Sequence, residues 1–307
     1  MRDLHHLPAV PGHSPGRVPC RFCGRPATLR FQTMDWNRRL SSQPFRYYRC
    51  SGCAVTFLSP VPGDLGRYYP PDYYPMPATL TDLARMAEPE RYKLALVQRY
   101  HPGGRLLEIG PATGAFAYLA KAAGFEVDTV EIDAACCRFL REVVGVGAIE
   151  SGAPSRVIPT LDRYDVIALW QVIEHIPDPW ETLAAAAERL RPGGIVVIGA
   201  PNPDAFQLRV FGQYWTHIDA PRHLQLLPIE TLTHRARLLG LRPLLQTTRT
   251  PGDLGWNVFG WQKSMQNVLQ GRAAAAIGWW LSLAALPVDR AGRLGSTYTV
   301  VLQKEEP

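Results

Sequence analysis

The stretch LLEIGPATGAF, residues 106–116, combines an apolar run, a glycine-bearing turn and the start of an apolar helix. A strand, a glycine turn and a helix in this order are typical of nucleotide-binding α/β folds. The glycines, Gly110 and Gly114, do not form the G-x-G-x-x-G set of dinucleotide sites. Glu108 precedes the turn and would repel a pyrophosphate there. The turn therefore predicts a ligand that has a positive charge and no phosphate.

Segments typical of strands and helices alternate around this turn. The predicted strands are residues 105–110, 125–133, 164–170 and 193–200, and the predicted helices are residues 115–124, 136–143 and 180–190. Such alternation indicates an α/β fold with a largely parallel sheet. Ligands of such sheets bind at the carboxyl ends of the strands.

Glu131 ends the second predicted strand, about twenty residues after Glu108, where an acid accepts hydrogen bonds from ribose hydroxyls. The N–H groups of the turn suit a carboxylate, and Glu108 suits an ammonium or a sulfonium. A ligand with a ribose, an amine, a carboxylate and no phosphate matches these features. S-adenosylmethionine is such a ligand, and an NAD site is the alternative that Glu108 disfavours.

The E-x-G-x-x-x-G pattern with Glu131 resembles the class I S-adenosylmethionine-dependent methyltransferases. LWQVIEHIPDP, residues 169–179, and LRPGG, residues 190–194, resemble the ubiquinone-biosynthesis type. The resemblance covers residues 79–307. It implies a Rossmann-like, seven-stranded mixed sheet with helices on both faces, in which residues 296–304 form an antiparallel last strand. The cofactor contacts that it implies are Glu108, Gly110, Gly114, Glu131, Ile132, Trp170 and Gln171.

Two C-x2-C pairs lie near the N-terminus, at Cys20 and Cys23 and at Cys50 and Cys53. Two such knuckles complete a tetrahedron of thiolates around Zn²⁺. Residues 18–60 are therefore predicted to form a small zinc ribbon with a structural zinc ion, the alternative being four free thiols. The cysteine pairs also resemble those of zinc-bearing methyltransferases of bacterial sugar and surface-glycan pathways.

Composition predicts a globular, cytoplasmic protein. The net charge of +6 and the pI of about 9.1 favour acidic partners only mildly. Residues 1–17 lack the apolar core of a signal peptide and are expected to be disordered. Residues 61–78, rich in tyrosine and proline, are expected to form a semi-rigid linker that either packs the ribbon or forms an aromatic wall over a pocket.

Three histidines are candidate general bases for a hydroxyl acceptor. His175 follows the strand of residues 164–170, and His217 and His223 lie in the loop after residues 193–200. The sequence favours His217 or His223 as the base without a choice between them. In some ubiquinone-type relatives a Glu-x-x-Glu-His segment binds a divalent ion. Here Gln171 replaces its first glutamate, so Mg²⁺ dependence is not expected.

Residues 250–294 form an apolar insertion before the last predicted strand. Residues 273–288 are apolar but short of the ~20 residues that span a bilayer. They predict either a cap or homodimer interface, or an interfacial helix at the inner membrane face. The expected activity is methylation, at oxygen, of a small-molecule, sugar or lipid-linked acceptor. Nucleic acid is not expected as a partner, although a nucleic-acid methyltransferase with the ribbon as reader and a non-catalytic regulator are the alternatives.

Overall fold

The computed structural model describes residues 16–70, 72–269 and 271–306. Most of the tail that is expected to be disordered, residues 1–15, lies outside this range. The strands are β1 Arg17–Pro19, β2 Pro26–Thr33, β3 Phe45–Cys50, β4 Thr56–Leu58, β5 Arg105–Ile109, β6 Glu126–Glu131, β7 Gly147–Glu150, β8 Tyr164–Trp170, β9 Leu190–Pro201, β10 Gln225–Leu226, β11 Leu241–Thr247 and β12 Thr297–Lys304.

Helices connect most of the central strands. They are α1 Leu80–Ala87, α2 Arg91–Tyr100, α3 Ala115–Ala122, α4 Ala134–Phe139, α5 Pro154–Val157, α6 Pro179–Arg189, α7 Phe206–Phe211, α8 Ile229–Arg237, α9 Pro251–Leu269 and α10 Arg272–Arg290. Pro89 lies in a short 3-10 turn, Glu88–Glu90, which separates α1 from α2.

The large sheet has seven strands in the order β11-β12-β9-β8-β5-β6-β7. Pairings from β7 to β9 are parallel, whereas β12 runs antiparallel to both β9 and β11. This confirms the predicted Rossmann-like mixed sheet with an antiparallel last strand. The central strands of the sheet, β5 and β8, are buried on both faces, as expected for a sheet that helices cover. After β5 the chain adds β6 and β7 on one side of that strand, and it then returns to add β8 on the other side. The connections therefore diverge between β5 and β8, and the carboxyl ends of these two strands form a crevice for a ligand.

The small N-terminal sheet has the order β1-β2-β3-β4-β10. Its last strand comes from the loop after β9, and Gln225 of β10 pairs with Phe57 of β4. Tyr47 and Phe57 are buried in the cores that this sheet shares with the rest of the chain. The ribbon is therefore joined to the α/β unit by backbone pairing as well as by packing.

The insertion is a hairpin of two helices, α9 and α10, placed between β11 and β12. Asp253 of α9 accepts hydrogen bonds from Thr297 and Thr299 of β12, and Asn257 donates to Asp289 of α10. The contacts of Asp253 attach α9 to β12, and the contact of Asn257 joins the two helices to each other. Among the described residues, no helix is long and apolar enough to cross a membrane.

Candidate functional site

The turn after β5 is shaped by its two glycines. Gly110 has φ of 67° and Gly114 has φ of 84°, both in the left-handed region that glycine adopts without strain. A Cβ atom on Gly110 would lie 2.6 Å from the side chain of Val172, and one on Gly114 would lie 2.5 Å from Leu140. The backbone can therefore turn tightly at the end of β5, and α3 begins immediately after it.

Glu131 joins this turn to the end of β6. One of its carboxylate oxygens accepts a hydrogen bond from the Ala112 N–H at 2.9 Å, and the other accepts from the N–H groups of Ile132 and Asp133. A carboxylate has about four lone-pair sites, so these three bonds leave capacity for a ligand hydroxyl. Glu131 lies at the position where the sequence predicts an acid that binds ribose.

Glu108 points into the protein beneath the turn. It is 3% exposed, and its Oε2 atom has no hydrogen-bond partner among the described residues. Burial raises its pKa to about 8, while Lys93 opposes this shift. A buried acid without a full set of partners fits a cationic or hydrogen-bond-donating ligand group nearby. The glycine turn, Glu108 and Glu131 together fit S-adenosylmethionine.

The other predicted cofactor residues lie at the carboxyl ends of neighbouring strands. Ile132 follows β6 and is 67% exposed, so its side chain is available to an adenine ring. Trp170 ends β8, packs edge-on against Phe116, and leaves its indole N–H without a partner among the residues described. Gln171 follows with φ of 57°, a strained value for this residue type. β6, β5 and β8 are adjacent, so these positions share one edge of the sheet.

His175 and His223 lie together beside Glu174. Their ring centroids are 4.6 Å apart, and His223 Nε2 is 3.9 Å from Glu174 Oε1. The ligand atoms of all three side chains lie within 4.8 Å of one another. Glu174 and His223 are buried, whereas His175 is half-buried. The fold therefore brings together two of the three predicted histidines, from the loops after β8 and after β9.

Hydrogen bonds define the protonation of both imidazoles. His175 Nδ1 lies 3.1 Å from the carbonyl oxygen of Arg222, and His223 Nδ1 lies 2.9 Å from that of His217. A carbonyl oxygen can only accept, so these contacts assign the proton to each Nδ1 and the lone pair to each Nε2, and the Tyr69 hydroxyl, 2.9 Å from His175 Nδ1, is then an acceptor as well. Burial lowers the pKa of His175 to about 4 and that of His223 to about 3. Both rings are therefore neutral at pH 7.

The buried Glu174 carboxyl completes this cluster. Both of its oxygens lack a hydrogen-bond partner among the described residues, and burial raises its pKa to about 8. Two imidazole lone pairs and one carboxyl group could accept a proton from an acceptor or hold a divalent ion. Gln171 stands where the Glu-x-x-Glu-His pattern has its first glutamate, so the carboxylates available as ligands differ from that pattern.

His217 lies apart from this cluster. Its ring packs against Trp215, Trp256 and Phe259, and its Nε2 atom is 3.2 Å from the carbonyl oxygen of Trp256. Burial lowers its pKa to about 4. The ring of His217 is thus enclosed by residues of α9 and does not contact His175 or His223. Only the backbone carbonyl of His217 contributes to the pair, as the hydrogen-bond acceptor of His223 Nδ1.

A buried ion network supports the loop that carries His223. Arg222, 1% exposed, pairs with Asp35 at 2.7 Å and with Asp219 at 2.7 Å. Burial raises the pKa of Asp219, but the Arg222 guanidinium outweighs burial and holds it well below the usual range. Asn37 donates to Asp219 and to the carbonyl oxygen of Thr216. Arg222 therefore joins the loop after β9 to the ribbon, because it pairs with Asp219 of that loop and with Asp35 of the ribbon.

Asp35 and Asn37 are not predictable from the sequence, because no local signal in the ribbon distinguishes them. Both lie in the turn after β2, far from the loop after β9 along the chain. Tyr47 of β3 also donates a hydrogen bond to the carbonyl oxygen of His223 at 2.7 Å. The ribbon thus contacts the backbone of His223 through Tyr47, and it contacts the charged groups of Arg222 and Asp219 through Asp35 and Asn37. These contacts hold the loop that carries His223.

The tyrosine-rich segment covers the same cluster. The Tyr69 hydroxyl lies 2.9 Å from His175 Nδ1, and its ring is 4.9 Å from that of Tyr73. Tyr73 in turn packs edge-on against Tyr74. Tyr68 is fully buried between the ribbon and the loop after β9. The segment both packs the ribbon and places aromatic rings next to His175.

The four N-terminal cysteines form a candidate metal centre. Cys20 and Cys53 Sγ atoms are 3.7 Å apart, and those of Cys23 and Cys50 are 3.4 Å apart. A tetrahedron with Zn–S bonds of about 2.3 Å has edges of about 3.8 Å. The N–H groups of Gly52 and Cys53 point at Cys50 Sγ, as expected around a thiolate. The geometry fits a structural zinc ion.

Comparison with known proteins agrees with this geometry. Residues 81–246, more than half of the chain, match a family model described as a methyltransferase domain. The ubiquinone biosynthesis O-methyltransferase of Aeromonas salmonicida is 31% identical over 124 residues, which cover 36% of this chain and 49% of that protein. The same enzyme of Saccharophagus degradans is 30% identical over 112 residues, covering 36% and 45%. The chain spans about half the length of these relatives.

Solved structures share the fold at low sequence identity. A SAM-dependent methyltransferase from Archaeoglobus fulgidus aligns with a TM-score of 0.50 and 18% identity, covering 72% of this chain and 94% of that one. A putative methyltransferase from Bacillus halodurans aligns with a TM-score of 0.50 and 12% identity, covering 72% and 100%. With the family match and the fit of the glycine turn to the cofactor, the chain belongs to the S-adenosylmethionine-dependent methyltransferases.

Proposed function

We propose that the chain methylates a hydroxyl group of a small-molecule, sugar or lipid-linked acceptor, with His175 as the general base. The observation that carries this proposal is the contact of His175 Nδ1 with the Arg222 carbonyl oxygen at 3.1 Å, which favours the tautomer whose Nε2 accepts a proton. Burial, which lowers the pKa of His175, agrees with a neutral imidazole. The position of His175 after β8, at the sheet edge that carries the predicted cofactor residues, supports this role. The O-methyltransferase relatives support an oxygen acceptor.

The bound cofactor supplies an activated methyl group, so the protein needs only to align the acceptor and exclude water. Tyr69 and Tyr73 cover the site, and Tyr69 fixes the ring of His175 together with Arg222. His223 lies behind His175 and contacts Glu174. A hydroxyl that approaches His175 would meet a base and an aromatic wall.

The ribbon contacts favour this function over a nucleic-acid reader. Arg21 donates to Gln225 and to the carbonyl oxygen of Leu224, and Arg30 donates to that of Pro203. Arg21 and Arg30 thus face the α/β unit, so neither is free to contact the phosphates of a nucleic acid as the cations of a reader would. The ribbon is better suited to complete the acceptor site.

The reaction is tested with methyl-labelled S-adenosylmethionine and separate aqueous and lipid fractions of the source cells. We expect label in a product whose methyl group survives mild alkali, as an ether does and an ester does not. Label in nucleic acid, or in a base-labile ester, would contradict the proposed acceptor chemistry.

The metal centre gives a second prediction. Purified protein should contain about one zinc ion per chain by elemental analysis. Replacing Cys50 with serine should lower this content and loosen the ribbon, because the tetrahedron loses one thiolate. S-adenosylmethionine should still bind, since Glu131 and the glycine turn lie outside the ribbon. A metal-free protein whose ribbon resists proteolysis as well as the zinc-bound form would contradict the assignment.

The insertion gives a third prediction, concerning membranes. Trp279 is 41% exposed and Trp280 66% exposed on α10. If α10 rests on a membrane, burial of these indoles at about 25 cal/mol per Å² stabilises reversible binding. Anionic vesicles should then co-sediment the protein and shift its tryptophan emission to the blue. The Trp279→Ser, Trp280→Ser variant should lose most of both effects.

The control removes two exposed apolar side chains elsewhere, through Leu238→Ser and Val143→Ser. We expect this control to sediment like the wild type. A wild-type protein that stays in the supernatant at low salt would identify the face of α10 as a protein-facing surface, and a soluble acceptor would then be favoured.

A further inference from the structure

A cleft lies between the turn after β2 and the helix α9. Its volume is about 320 Å³. The lining residues come from the ribbon and from the insertion, two parts of the chain that the predicted cofactor site does not use. The lining side chains with aromatic, cationic or amide groups include Trp36, Arg38, Arg39, Lys263 and Gln266. The cleft adjoins the network of Asp35 and Asn37 that supports the acceptor loop.

The charge of this cleft is positive. Arg38, Arg39 and Lys263 line it, and the lining contains no aspartate or glutamate. Within the part of the chain that the structure describes, none of these three side chains forms an ion pair. Three cationic side chains that line one cleft without a carboxylate give it a positive potential, which favours the binding of an anion.

Trp36 lines the same cleft and carries a neutral hydrogen-bond donor, its indole N–H. Its ring packs against Tyr214 at 5.1 Å, and its indole N–H is buried with no acceptor in the described structure. A buried N–H without a partner is unfavourable unless a ligand supplies an acceptor. Arginine, lysine and an N–H donor together match the several oxygens of a phosphate group better than the two of a carboxylate.

The cleft is connected to the candidate base. Arg38 lies 4.7 Å from the centre of the Tyr73 ring and donates to the Tyr73 carbonyl oxygen. Tyr73 packs on Tyr69, whose hydroxyl contacts His175. A ligand held by Arg38 would therefore lie next to the tyrosine segment, whose Tyr69 contacts the candidate base His175.

We propose that this cleft is a phosphate subsite for the acceptor, formed by Arg38, Arg39, Lys263 and the Trp36 N–H. The acceptor is then a phosphate or diphosphate ester whose reacting hydroxyl reaches His175. This proposal rests on the proposed function, because it assigns the acceptor of that same site. The phosphate belongs either to a soluble ester or to a lipid-linked one, and the same contacts serve both.

The test is calorimetric titration of the intact protein with inorganic pyrophosphate at low salt. We expect binding by the wild type and affinity about tenfold or more lower in the Arg39→Gln, Lys263→Gln variant, because two charge-assisted contacts are lost. The control, Arg138→Gln with Arg237→Gln, removes two exposed cations of α4 and α8 and should bind like the wild type. S-adenosylmethionine binding, measured in parallel, checks that each variant is folded.

Equal pyrophosphate affinity in the cleft variant and the control, or no binding by the wild type, would overturn the subsite. Because pyrophosphate binding requires no methyl transfer, a failed subsite and a failed methylation activity are distinguishable. Competition then separates the two sources of phosphate. Displacement of the protein from phosphatidylglycerol vesicles by pyrophosphate supports a lipid-linked ester, and binding of pyrophosphate without vesicle binding supports a soluble one.

Discussion

Glu131→Ala should weaken the binding of S-adenosylmethionine by about tenfold to several hundredfold in a calorimetric titration. The carboxylate is expected to bind ribose hydroxyls, and charge-assisted hydrogen bonds contribute about 1.5–3 kcal/mol each. The same carboxylate accepts the N–H groups of Ala112, Ile132 and Asp133. Its removal therefore also frees the turn after β5 and the loop after β6, which Glu131 holds together.

Glu131→Gln separates these two contributions. The amide keeps the shape and one oxygen acceptor but has no negative charge, so we expect an intermediate affinity. Unchanged binding in Glu131→Ala would contradict the assignment of this residue. Glu150, at the end of β7, is exposed and pairs with Glu131 only through the backbone, so Glu150→Ala is a matched control that should bind normally.

His175→Ala should lower the rate of methyl transfer by about 10²–10⁴-fold, the usual contribution of a general base. The affinity for S-adenosylmethionine should not change, because His175 lies on the acceptor side of the site. Tyr69→Phe should cause a smaller loss, since the ring of His175 keeps its bond to the Arg222 carbonyl. His234→Ala changes an exposed histidine of α8 and should retain full activity.

Elemental analysis of these variants tests the alternative role of His175. Glu174, His175 and His223 have the geometry of a metal site as well as that of a base cluster. A second bound metal ion that is present in Cys50→Ser and absent from His175→Ala would identify His175 as a ligand. That result would contradict its assignment as the base.

The cofactor half of the molecule was predictable because its signals are local. The E-x-G-x-x-x-G turn, Glu131 and the alternation of strands and helices each lie within a short stretch, and the sheet order follows from the resemblance that they support. β7 was missed, because its four residues, GAIE, show neither a long apolar run nor clear alternation. The cysteine spacing likewise predicted a cluster that the fold assembles.

The acceptor half was predictable only as a set of candidate residues. Sequence placed His217 and His223 in one loop but could not show that His217 points under α9 while His223 meets His175. The contacts of Asp35 with Arg222 and of β10 with β4 join distant parts of the chain. Contacts of this kind depend on how the ribbon docks, which no local pattern encodes.

The position of the cofactor sulfur relative to His175 is the most direct test of the proposed site. A crystal structure with S-adenosylhomocysteine should show the ribose hydroxyls at Glu131 and the sulfur facing the space beneath Tyr69 and Tyr73, on the side of His175. A nucleoside bound away from Glu131, or a sulfur turned away from the cluster of Glu174, His175 and His223, would contradict the proposal.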